Sequence, residues 1–524
     1  MKKQTPHTII LFFLAGIFFI LYNLLNFSTP RLFNSPDETM HHAFIKQFAQ
    51  TNQFIFPHTH DYGDFARFVF PRSTYGVGPV IVPVGFWGLN VVYGFLAKIV
   101  GVSFVVFLTS ILVIIGVFCW YSLIRHLFHR SVAFISSVLF LCQPVLWYYT
   151  ERSLFPNVPF LMFLIIGLWF LIVRPLFSKR KTASLLNELF GSIVFFTAIL
   201  IRPSEVLWLG VGTAIVLFAY RKKVDWTRFG IFAAVGFLFL CLYVLVNGVL
   251  FRGHLIGYAA SQSAVLPHWY SVVFPFGIDI SQIIKAKYVY LFQLVWWYTV
   301  PAGIGILIFL NQWKHRMLPK KQRVYGAVFF CMAFFLLVLY GSFHDARFSL
   351  HTIGISYTRY WLPISIGLLP FAALCLLRLQ EFFHRAWQKQ LVGAWILFLV
   401  FLLSARAVFL GDDGIIKTGE NIAHGAEIKT WTLAEIPENA IVVTDTEDKF
   451  FWPERQVMVN IKNGDIRMGI HGLLKKRYPL YFFTPRLEDN TMKELQELLR
   501  TSSLELEKIM EFPPHEMYRI KIAL

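Results

Sequence analysis

Two adjacent carboxylates stand near the start of the chain, in the segment NSPDETMHHAFIKQFAQ that covers residues 34–50. Asp37 and Glu38 are followed one helical turn later by His41 and His42. A carboxylate beside a membrane is suited to general acid–base work, and residues four apart on a helix share a face and can supply two metal ligands. The segment therefore predicts catalysis by Asp37 and Glu38, with Asp37, His41 and His42 as candidate ligands of a divalent metal ion.

The same carboxylates have a structural interpretation. Ser35-x-x-Glu38 has the pattern of a capping box, and an acidic residue such as Asp37 in the first turn complements the helix dipole. The apolar residues that follow recur every four positions, which predicts a short amphipathic helix lying on the membrane surface. The position of the pair directly after an apolar span favours chemistry, because ionisable groups beside a membrane are usually functional.

The composition indicates a membrane protein. The chain has 524 residues, of which 56% are hydrophobic, 15% are charged and 56 are Phe. The net charge of +18 is explained by Lys/Arg clusters in short loops between spans, and no aromatic–basic groove motif points to nucleic acid. All five cysteines fall inside apolar runs, so the sequence predicts neither a disulfide framework nor a zinc–thiolate site.

Apolar runs of about 20 residues, the length that a helix needs to cross a bilayer, recur along the first 410 residues. We predict eleven spans, about 8–27, 103–124, 131–149, 157–177, 188–201, 203–219, 229–251, 287–311, 323–343, 357–377 and 391–410.

Five basic clusters alternate with the spans and fall on one side, which should be cytoplasmic. With the N-terminus on that side, the run 79–100 lies in the interface and the loop of Asp37 is extracytoplasmic. In the alternative, 79–100 also crosses, the N-terminus is outside and Asp37 is inside. The clusters cover residues 125–130, 174–181, 221–228, 314–323 and 378–389.

The fold class expected is an all-α polytopic membrane protein, with about eleven transmembrane helices, juxtamembrane interface helices and a small C-terminal α/β extracytoplasmic domain. Residues 1–410 form the transmembrane catalytic domain, including the first extracytoplasmic loop at 28–101, and residues 411–524 form the soluble domain. In that domain the sequence predicts strands at 440–445, 456–461, 479–484 and 518–523. It predicts helices at 467–478 and 490–502.

Several short motifs resemble one family of membrane enzymes. These are SPDETMHHAF at 35–44, TRYWLP at 358–363, the segment 131–159, which is similar to a span of that family and the loop after it, and the basic loop RHLFHR. Together with the layout of residues 1–410, they resemble the polyprenyl-phosphate-dependent GT-C glycosyltransferases, such as protein O-mannosyltransferases and the lipid A aminoarabinose transferase.

The resemblance implies a sugar donor linked to polyprenyl phosphate, with the first-loop aspartate deprotonating the acceptor or binding a metal. That role carries over to Asp37 and secondarily to Glu38. Arginine neutralises a leaving phosphate well because its guanidinium is a planar fork. The candidates are Arg359, Arg202 and Arg347; the alternatives are snorkelling for Arg359, an ion pair with Glu205 for Arg202 and a solvated loop for Arg347.

Three further residues are expected to contact the substrate: Tyr360, Arg72 and Asn157. Tyr360 lies in the TRYWLP motif, where it could instead belong to the aromatic belt of the membrane interface. Relatives often have Asp near the position of Asn157. The expected partners are a polyprenyl-phosphate-linked sugar, an unknown acceptor and the lipid bilayer, with no nucleic acid.

The function expected is transfer of a hexosyl or pentosyl group to a lipid, glycan or protein acceptor on the extracytoplasmic face of the cell membrane. A second possibility is a lipid-linked-sugar flippase without transferase activity. Transporters usually contain internal repeats and broken helices at mid-membrane. Only Arg202–Pro203 has that character here, and no half of the sequence repeats the other.

Overall fold

The computed structural model describes residues 6–28, 32–84, 87–173, 181–251, 274, 276–344 and 352–523. The chain divides into two compact units. The first unit comprises Met1–Phe27, Val106–Tyr243 and Ala264–Lys417, and the second comprises Ser28–Val105, Val244–Ser263 and Thr418–Leu524. The second unit thus joins the first loop to the C-terminal tail, whereas the sequence placed that loop with the spans.

The described residues of the first unit are helical and carry no strand. The α-helices that lie in this unit or enter it are Pro6–Leu21, Leu24–Ser28, Val105–Leu127, Arg130–Cys142, Pro144–Glu151, Asn157–Ile172, Lys181–Ile201, Val206–Tyr220, Trp226–Leu250, Ile280–Lys287, Trp296–Lys314, Lys320–Gly341, Ser356–Tyr360, Leu362–Gly367, Leu369–Gln380, Ala386–Leu410 and Ile415–Glu435.

Among the described residues, six helices are long and apolar enough to cross a membrane, or eight when two bent pairs are each counted as one span. One pair bends by 48° between Cys142 and Pro144, where proline opens a new helix and the Gln143 side chain caps it by accepting from the N–H of Leu146 at 2.5 Å. The chain is therefore a multi-pass membrane protein.

Each predicted span coincides with one of these helices, with a bent pair, or with one of three shorter apolar helices. The run 79–100 contains a strand and the helix Trp87–Val100, whose 14 residues measure only ~21 Å against a hydrocarbon core of ~30 Å. This length agrees with an interface position. The number of crossings, eleven, stays a prediction.

The second unit contains two β-sheets. A small antiparallel sheet has the order β1–β3–β2, and a mixed sheet has the order β5–β4–β6–β8–β7. The strands are β1 Phe56–Pro57, β2 Thr74–Val77, β3 Val80–Pro83, β4 Ile441–Thr444, β5 Gln456–Val459, β6 Leu480–Pro485, β7 Leu504–Phe512 and β8 His515–Ile522. The helices are Pro36–Thr51, Trp87–Val100, Asp448–Phe451, Gly464–Lys475 and Asp489–Arg500, with a 3₁₀ helix at Gly63–Phe68.

The predicted C-terminal α/β domain is confirmed. All four expected strands and both expected helices form, with their ends shifted by a few residues. β7 and the long helix Ile415–Glu435 were not predicted. β7 pairs only with β8 at the edge of the sheet, and it is rich in Glu and Lys, which are uncommon in strands. This composition obscures the alternation of apolar and charged residues that is typical of a half-buried strand.

The apolar core of the second unit includes the first loop. Tyr62, Ala66 and Val69 are buried in one cluster with residues of the mixed sheet and of its helices. The helix Gly464–Lys475 approaches closely through Gly472, where an added Cβ would lie 2.1 Å from the Phe65 ring. The loop that carries Asp37 is therefore built on the C-terminal domain.

Candidate active site

The acidic pair heads the helix Pro36–Thr51, named here the acidic helix. Ser35 caps it by accepting a hydrogen bond of 3.3 Å from the Asp37 N–H, and Pro36 occupies its first turn. The Asp37 side chain is half-buried, whereas Glu38 is only 2% exposed. The helix predicted from the sequence is confirmed, whereas its position on the membrane surface stays a prediction. Asp37 lies in the first turn, at the positive end of the helix dipole.

Asp37 is held by the residue that directly precedes strand β2 of the small sheet. The Ser73 hydroxyl donates a hydrogen bond of 2.5 Å to Asp37 Oδ1. The neighbouring Arg72 donates to Asp448 from its backbone N–H at 2.8 Å and from Nε at 2.7 Å. Arg72, expected to bind substrate, thus forms an ion pair with a carboxylate that is 1% exposed; its role toward substrate stays a prediction.

The two histidines of the acidic helix have separate surroundings. His41 is buried, and its Nδ1 lies 2.6 Å from Asn90 Oδ1, so this nitrogen carries the proton. His42 packs against the ring of Phe33, with centroids 5.0 Å apart. Among the described residues, no three His, Cys, Asp or Glu side chains form a group that could hold a metal ion. Asp37, His41 and His42 therefore do not form a complete metal site within the described residues.

In the first unit, three arginines alternate with two aromatic rings. The Phe155 ring contacts Arg152 at 5.2 Å and Arg359 at 4.8 Å, measured from the guanidinium carbon to the ring centroid. The Tyr360 ring contacts Arg359 at 5.2 Å and Arg202 at 5.4 Å. We call these five residues the arginine–aromatic cluster. It concentrates guanidinium groups on flat π faces, whose negative electrostatic potential attracts their positive charge.

Arg202 also pairs with a buried carboxylate. Its Nη2 lies 2.7 Å from Glu205 Oε1, and it donates to the Tyr340 hydroxyl at 2.9 Å. That hydroxyl donates in turn to Glu205 at 2.8 Å, and the Trp208 indole donates to the other Glu205 oxygen at 2.6 Å. The geometry matches the ion-pair alternative for Arg202; phosphate binding by this residue stays a prediction.

The remaining predicted residues are distributed as follows. Asn157 is buried and donates to the backbone oxygen of Arg359 at 3.0 Å, which ties the segment after residue 151 to the TRYWLP motif. Tyr360 stacks on Tyr340 with centroids 4.6 Å apart, so it is a packed member of the cluster rather than an isolated belt residue.

Arg347 lies outside the described residues. Asp37, Glu38, His41, His42 and Arg72 belong to the second unit, and Arg202, Arg359, Tyr360 and Asn157 belong to the first.

Three residues that take part in the contacts described above were not predicted from the sequence: Arg152, Ser73 and Asp448. Arg152 is 7% exposed and donates to the Tyr148 hydroxyl at 2.8 Å. A signal for it was available, because it is a cation directly after an apolar span and four residues from an aromatic hydroxyl. Ser73 and Asp448 carry no such signal, since their partners are distant in sequence.

Comparison with known proteins shows which solved structures have a similar fold. No protein-family model matches the sequence, and no curated protein matches it. Among solved structures, ArnT from Cupriavidus metallidurans in the apo state matches with a TM-score of 0.60 and 11% identity, covering 98% of both chains. ArnT bound to undecaprenyl phosphate matches with a TM-score of 0.56 and 10% identity, covering 98% of this chain and 97% of that one.

A second enzyme has a similar structure. The archaeal oligosaccharyltransferase AglB from Archaeoglobus fulgidus, in complex with an inhibitory peptide and a dolichol-phosphate, matches with a TM-score of 0.57 and 11% identity. The match covers 98% of this chain and 74% of AglB. ArnT and AglB are both GT-C glycosyltransferases. The chain therefore has the polytopic fold of this class, as the sequence motifs indicated.

Proposed function

We propose that this chain is an integral membrane glycosyltransferase that moves a sugar from a polyprenyl-phosphate donor to an acceptor on the extracytoplasmic face. The observation that carries the proposal is Asp37, a carboxylate at a capped helix start and anchored by Ser73, within a chain of GT-C fold. The transferred group is a hexosyl or pentosyl unit, and the acceptor is a lipid, glycan or protein.

Asp37 acts as the general base. Its carboxylate accepts the proton of the acceptor nucleophile while that atom forms a bond to the anomeric carbon. The bond between the anomeric carbon and the phosphate oxygen breaks, and its electron pair leaves with the lipid phosphate. The proton then passes from Asp37 to water. A single positioned base contributes about 10²–10⁴-fold to a rate.

The leaving phosphate gains negative charge in this step, and preorganised cations stabilise such charge. Within the first unit, Arg359 is the best candidate. Its guanidinium lies over Phe155 and Tyr360, both of which hold its plane, and the buried Asn157 fixes its backbone. Arg152 shares the Phe155 ring and is a second candidate. Arg202 serves chiefly as the buried partner of Glu205.

The donor class is supported by what similar folds bind. One ArnT structure holds undecaprenyl phosphate, and one AglB structure holds a dolichol-phosphate. Another AglB structure is a complex with Zn and sulfate. A divalent ion bound with Asp37, His41 or His42 stays a prediction for this chain, because the described residues do not form a three-ligand group.

The test uses the purified full chain in proteoliposomes with radiolabelled undecaprenyl-phosphate mannose, glucose, galactose and aminoarabinose, together with membrane lipid and glycan acceptors. We expect transfer of label and release of undecaprenyl phosphate from one donor, both lost in Asp37→Asn. Movement of intact donor across the bilayer without its cleavage would replace the proposal with the flippase alternative. Transfer at the wild-type rate by Asp37→Asn would remove Asp37 from the mechanism.

A further inference from the structure

A run of contacts within the second unit connects Asp37 to the C-terminal domain. Asp448 binds Arg72, the next residue is Ser73, and the Ser73 hydroxyl donates to Asp37. Arg72 and Asp448 are 376 positions apart, and Ser73 and Asp37 are 36 apart. The four side chains thus join the start of the acidic helix to the start of the helix Asp448–Phe451.

The contact between Arg72 and Asp448 is built as an anchor. Asp448 Oδ2 accepts from the Arg72 backbone N–H, and Oδ1 accepts from Nε at 2.7 Å and lies 2.6 Å from Nη2. The guanidinium also donates to the backbone oxygen of Thr446. Because one carboxylate holds both the backbone and the side chain of Arg72, it fixes the position and the direction of the chain at this residue.

The backbone of Ser73 has an energetically unfavourable conformation. Its φ is +62°, in the left-handed region that costs a non-glycine residue about 1 kcal/mol or more. The turn is closed by a hydrogen bond of 2.7 Å from the Thr74 hydroxyl to the backbone oxygen of Pro71, and the Ser73 oxygen accepts from the Val84 N–H at 3.2 Å. Such strain persists where the surroundings determine the geometry, and it is frequent at functional sites.

A second contact attaches the acidic helix to the same part of the domain. The Phe44 ring lies 6.0 Å from the ring of Trp452, and Phe56 lies 5.2 Å from it. Trp452 directly follows the helix that Asp448 begins. The acidic helix, through Phe44, and the turn at Ser73, through Arg72, therefore both contact the same short segment of the C-terminal domain.

We propose that Arg72 and Asp448 are positioning residues that hold the Ser73 hydroxyl against Asp37, and through it set the orientation of the catalytic carboxylate. This inference rests on the proposed role of Asp37 as the base. It gives the C-terminal domain a part in the rate of the reaction. A displacement of ~1 Å at a reacting group can reduce a rate by about 100-fold, so a fixed orientation of the Asp37 carboxylate increases the rate.

The experiment compares steady-state release of undecaprenyl phosphate by Ser73→Ala, Ser73→Gly and Arg72→Gln, using the donor that the wild-type chain cleaves. We expect kcat to fall about 10- to 100-fold in each, with KM for the donor unchanged. Ser73→Gly removes the hydroxyl and relieves the backbone strain, so its agreement with Ser73→Ala assigns the effect to the hydroxyl. Arg486→Gln, at an exposed ion pair of the same domain, should retain the wild-type rate.

Two further readouts separate positioning from general destabilisation. Because Arg72 acts through Ser73, Arg72→Gln should have little further effect in the Ser73→Ala background. Arg72→Lys keeps the charge without the fork and should recover part of the rate.

The outcomes distinguish this inference from the proposed function. A wild-type chain that cleaves no donor, or a fully active Asp37→Asn, contradicts the proposed function itself. If Asp37→Asn is inactive but Ser73→Ala stays within about twofold of wild type, the base is retained and the positioning inference is wrong. Fully additive losses from Ser73→Ala and Arg72→Gln would also overturn it, because the two residues would then act independently.

A different observation in the first unit carries a second proposal. An open groove of about 720 Å³ lies between the helices Val206–Tyr220 and Lys320–Gly341, within the ~300–1,000 Å³ typical of ligand sites. Its floor is apolar, and one end carries Trp313, Lys320 and Arg323. The apolar lining residues include Val211, Ala214, Ile215, Phe218, Val324 and Ala327.

The charged end of the groove is oriented by local contacts. Lys320 donates to the backbone oxygen of Ala219, and its ammonium lies 4.6 Å from the centroid of the Tyr220 ring. Within the described part of the chain, neither Lys320 nor Arg323 forms an ion pair with a carboxylate, and Arg323 is exposed. An anionic lipid has apolar acyl chains and a negatively charged headgroup. The apolar groove between membrane helices is complementary to the chains, and the two cations at its end are complementary to the headgroup.

We infer that this groove binds an anionic glycerophospholipid, with the acyl chains on the apolar floor and the phosphate at Lys320 and Arg323. Native mass spectrometry of the full chain with phosphatidylglycerol and phosphatidylcholine of matched acyl chains tests it. Each basic residue near an anionic headgroup contributes about fivefold to affinity. We expect Lys320→Gln/Arg323→Gln to lose most of the preference for phosphatidylglycerol, and Arg323→Gln alone to lose about fivefold.

The matched control is Lys222→Gln/Lys223→Gln, which removes the same charge from exposed residues outside the groove. It should change the preference by less than about twofold. Equal losses in both double variants would mean diffuse attraction by the surface, and no preference in the wild-type chain would mean ordinary bilayer contact; either result overturns the inference. Quenching of Trp313 by brominated phosphatidylglycerol, identified by its loss in Trp313→Phe, should exceed quenching by brominated phosphatidylcholine.

Discussion

Arg202 and Glu205 form an ion pair of 2.7 Å in which both side chains are at most 2% exposed. The Tyr340 hydroxyl accepts from Arg202 and donates to Glu205, so it bridges the pair. The pair stands at the break between two apolar helices, Lys181–Ile201 and Val206–Tyr220. Removing one member of such a pair leaves a buried charge without its counter-ion.

We therefore predict that Arg202→Met and Glu205→Leu each destabilise the fold by ~3–5 kcal/mol, whereas the double variant recovers most of the loss. Thermal unfolding in detergent, followed by intrinsic fluorescence, measures the three variants beside the wild type. A double variant that folds well but no longer binds undecaprenyl phosphate would return Arg202 to the role of a phosphate ligand. Single variants as stable as wild type would contradict the ion-pair interpretation.

Asp37→Asn tests the base directly. Ser35 rather than Asp37 caps the helix, and Asn has the same size as Asp, so the variant should fold and insert normally. It lacks the charge and the basicity, and we expect the transfer rate to fall by ~10²–10⁴-fold while donor binding persists. Single-turnover transfer with the cognate undecaprenyl-phosphate sugar gives the rate, and equilibrium binding of the same donor gives the affinity.

Glu38→Gln is the contrasting variant. Gln has the size of Glu and keeps one hydrogen-bond-accepting oxygen, and Glu38 is buried, whereas Asp37 is partly accessible. We expect a smaller loss of rate than in Asp37→Asn, measured in the same assay. Mild and equal effects from both changes would show that the pair serves the helix start, and Arg359 would then be the better indicator of a site.

The elements that could be predicted from the sequence are those whose signals are local. The cap at Ser35 and the apolar repeat predicted the acidic helix, and apolar runs of membrane length predicted the helices of the first unit. Alternating strands and helices predicted the C-terminal domain. In each case the residues that determine the element lie within the element or beside it.

The contacts that assemble the site could not be predicted because they are non-local. Nothing near Ser73 indicates that it faces Asp37, and nothing near Arg72 indicates a partner 376 residues away. The sequence therefore assigned Arg72 to substrate and placed the first loop and the tail in separate domains. Tertiary packing decides such pairings, and neither periodicity nor spacing carries that information.

Arg359→Ala should weaken the binding of undecaprenyl phosphate by about 10- to 150-fold, because a hydrogen bond to a charged group is worth ~1.5–3 kcal/mol. Arg359→Lys should fall between, since lysine keeps the charge but cannot stack a planar fork on Phe155 and Tyr360. Microscale thermophoresis with undecaprenyl phosphate measures both. Arg406→Ala, at an exposed arginine of the same unit, is the control, and an equal loss there would mean that binding reflects only overall charge.

Gly472→Ala should destabilise the second unit by ~1–3 kcal/mol, the usual cost of overpacking. An added Cβ would lie 2.1 Å from the Phe65 ring, which would push the 3₁₀ helix Gly63–Phe68 off the helix Gly464–Lys475. Gly464→Ala is the matched control, because its Cβ would lie 3.7 Å from the nearest atom, at the flexible end of Arg467. Limited proteolysis of the full chain should cut the first loop faster in Gly472→Ala only; equal rates would show that this contact is dispensable.

The last prediction concerns pH and the anchoring of the first loop. Burial lowers the pKa of His58 below its ordinary 6.5, although a hydrogen bond from its ring to the Gln456 side chain, at 3.3 Å, partly opposes the shift. Since the unfolded state then binds the proton more readily, the contribution of His58 to stability is complete above pH ~7.5. It is lost as the pH falls through 6.5 toward the lower pKa of the folded state, with a slope of at most ~1.4 kcal/mol per pH unit. Hydrogen exchange of peptides from 54–70 and 440–460, corrected for the intrinsic effect of pH, should show protection decreasing between pH 7.5 and 5.5. His58→Gln should flatten this dependence in the first loop, and an unchanged dependence would assign the titration to another group.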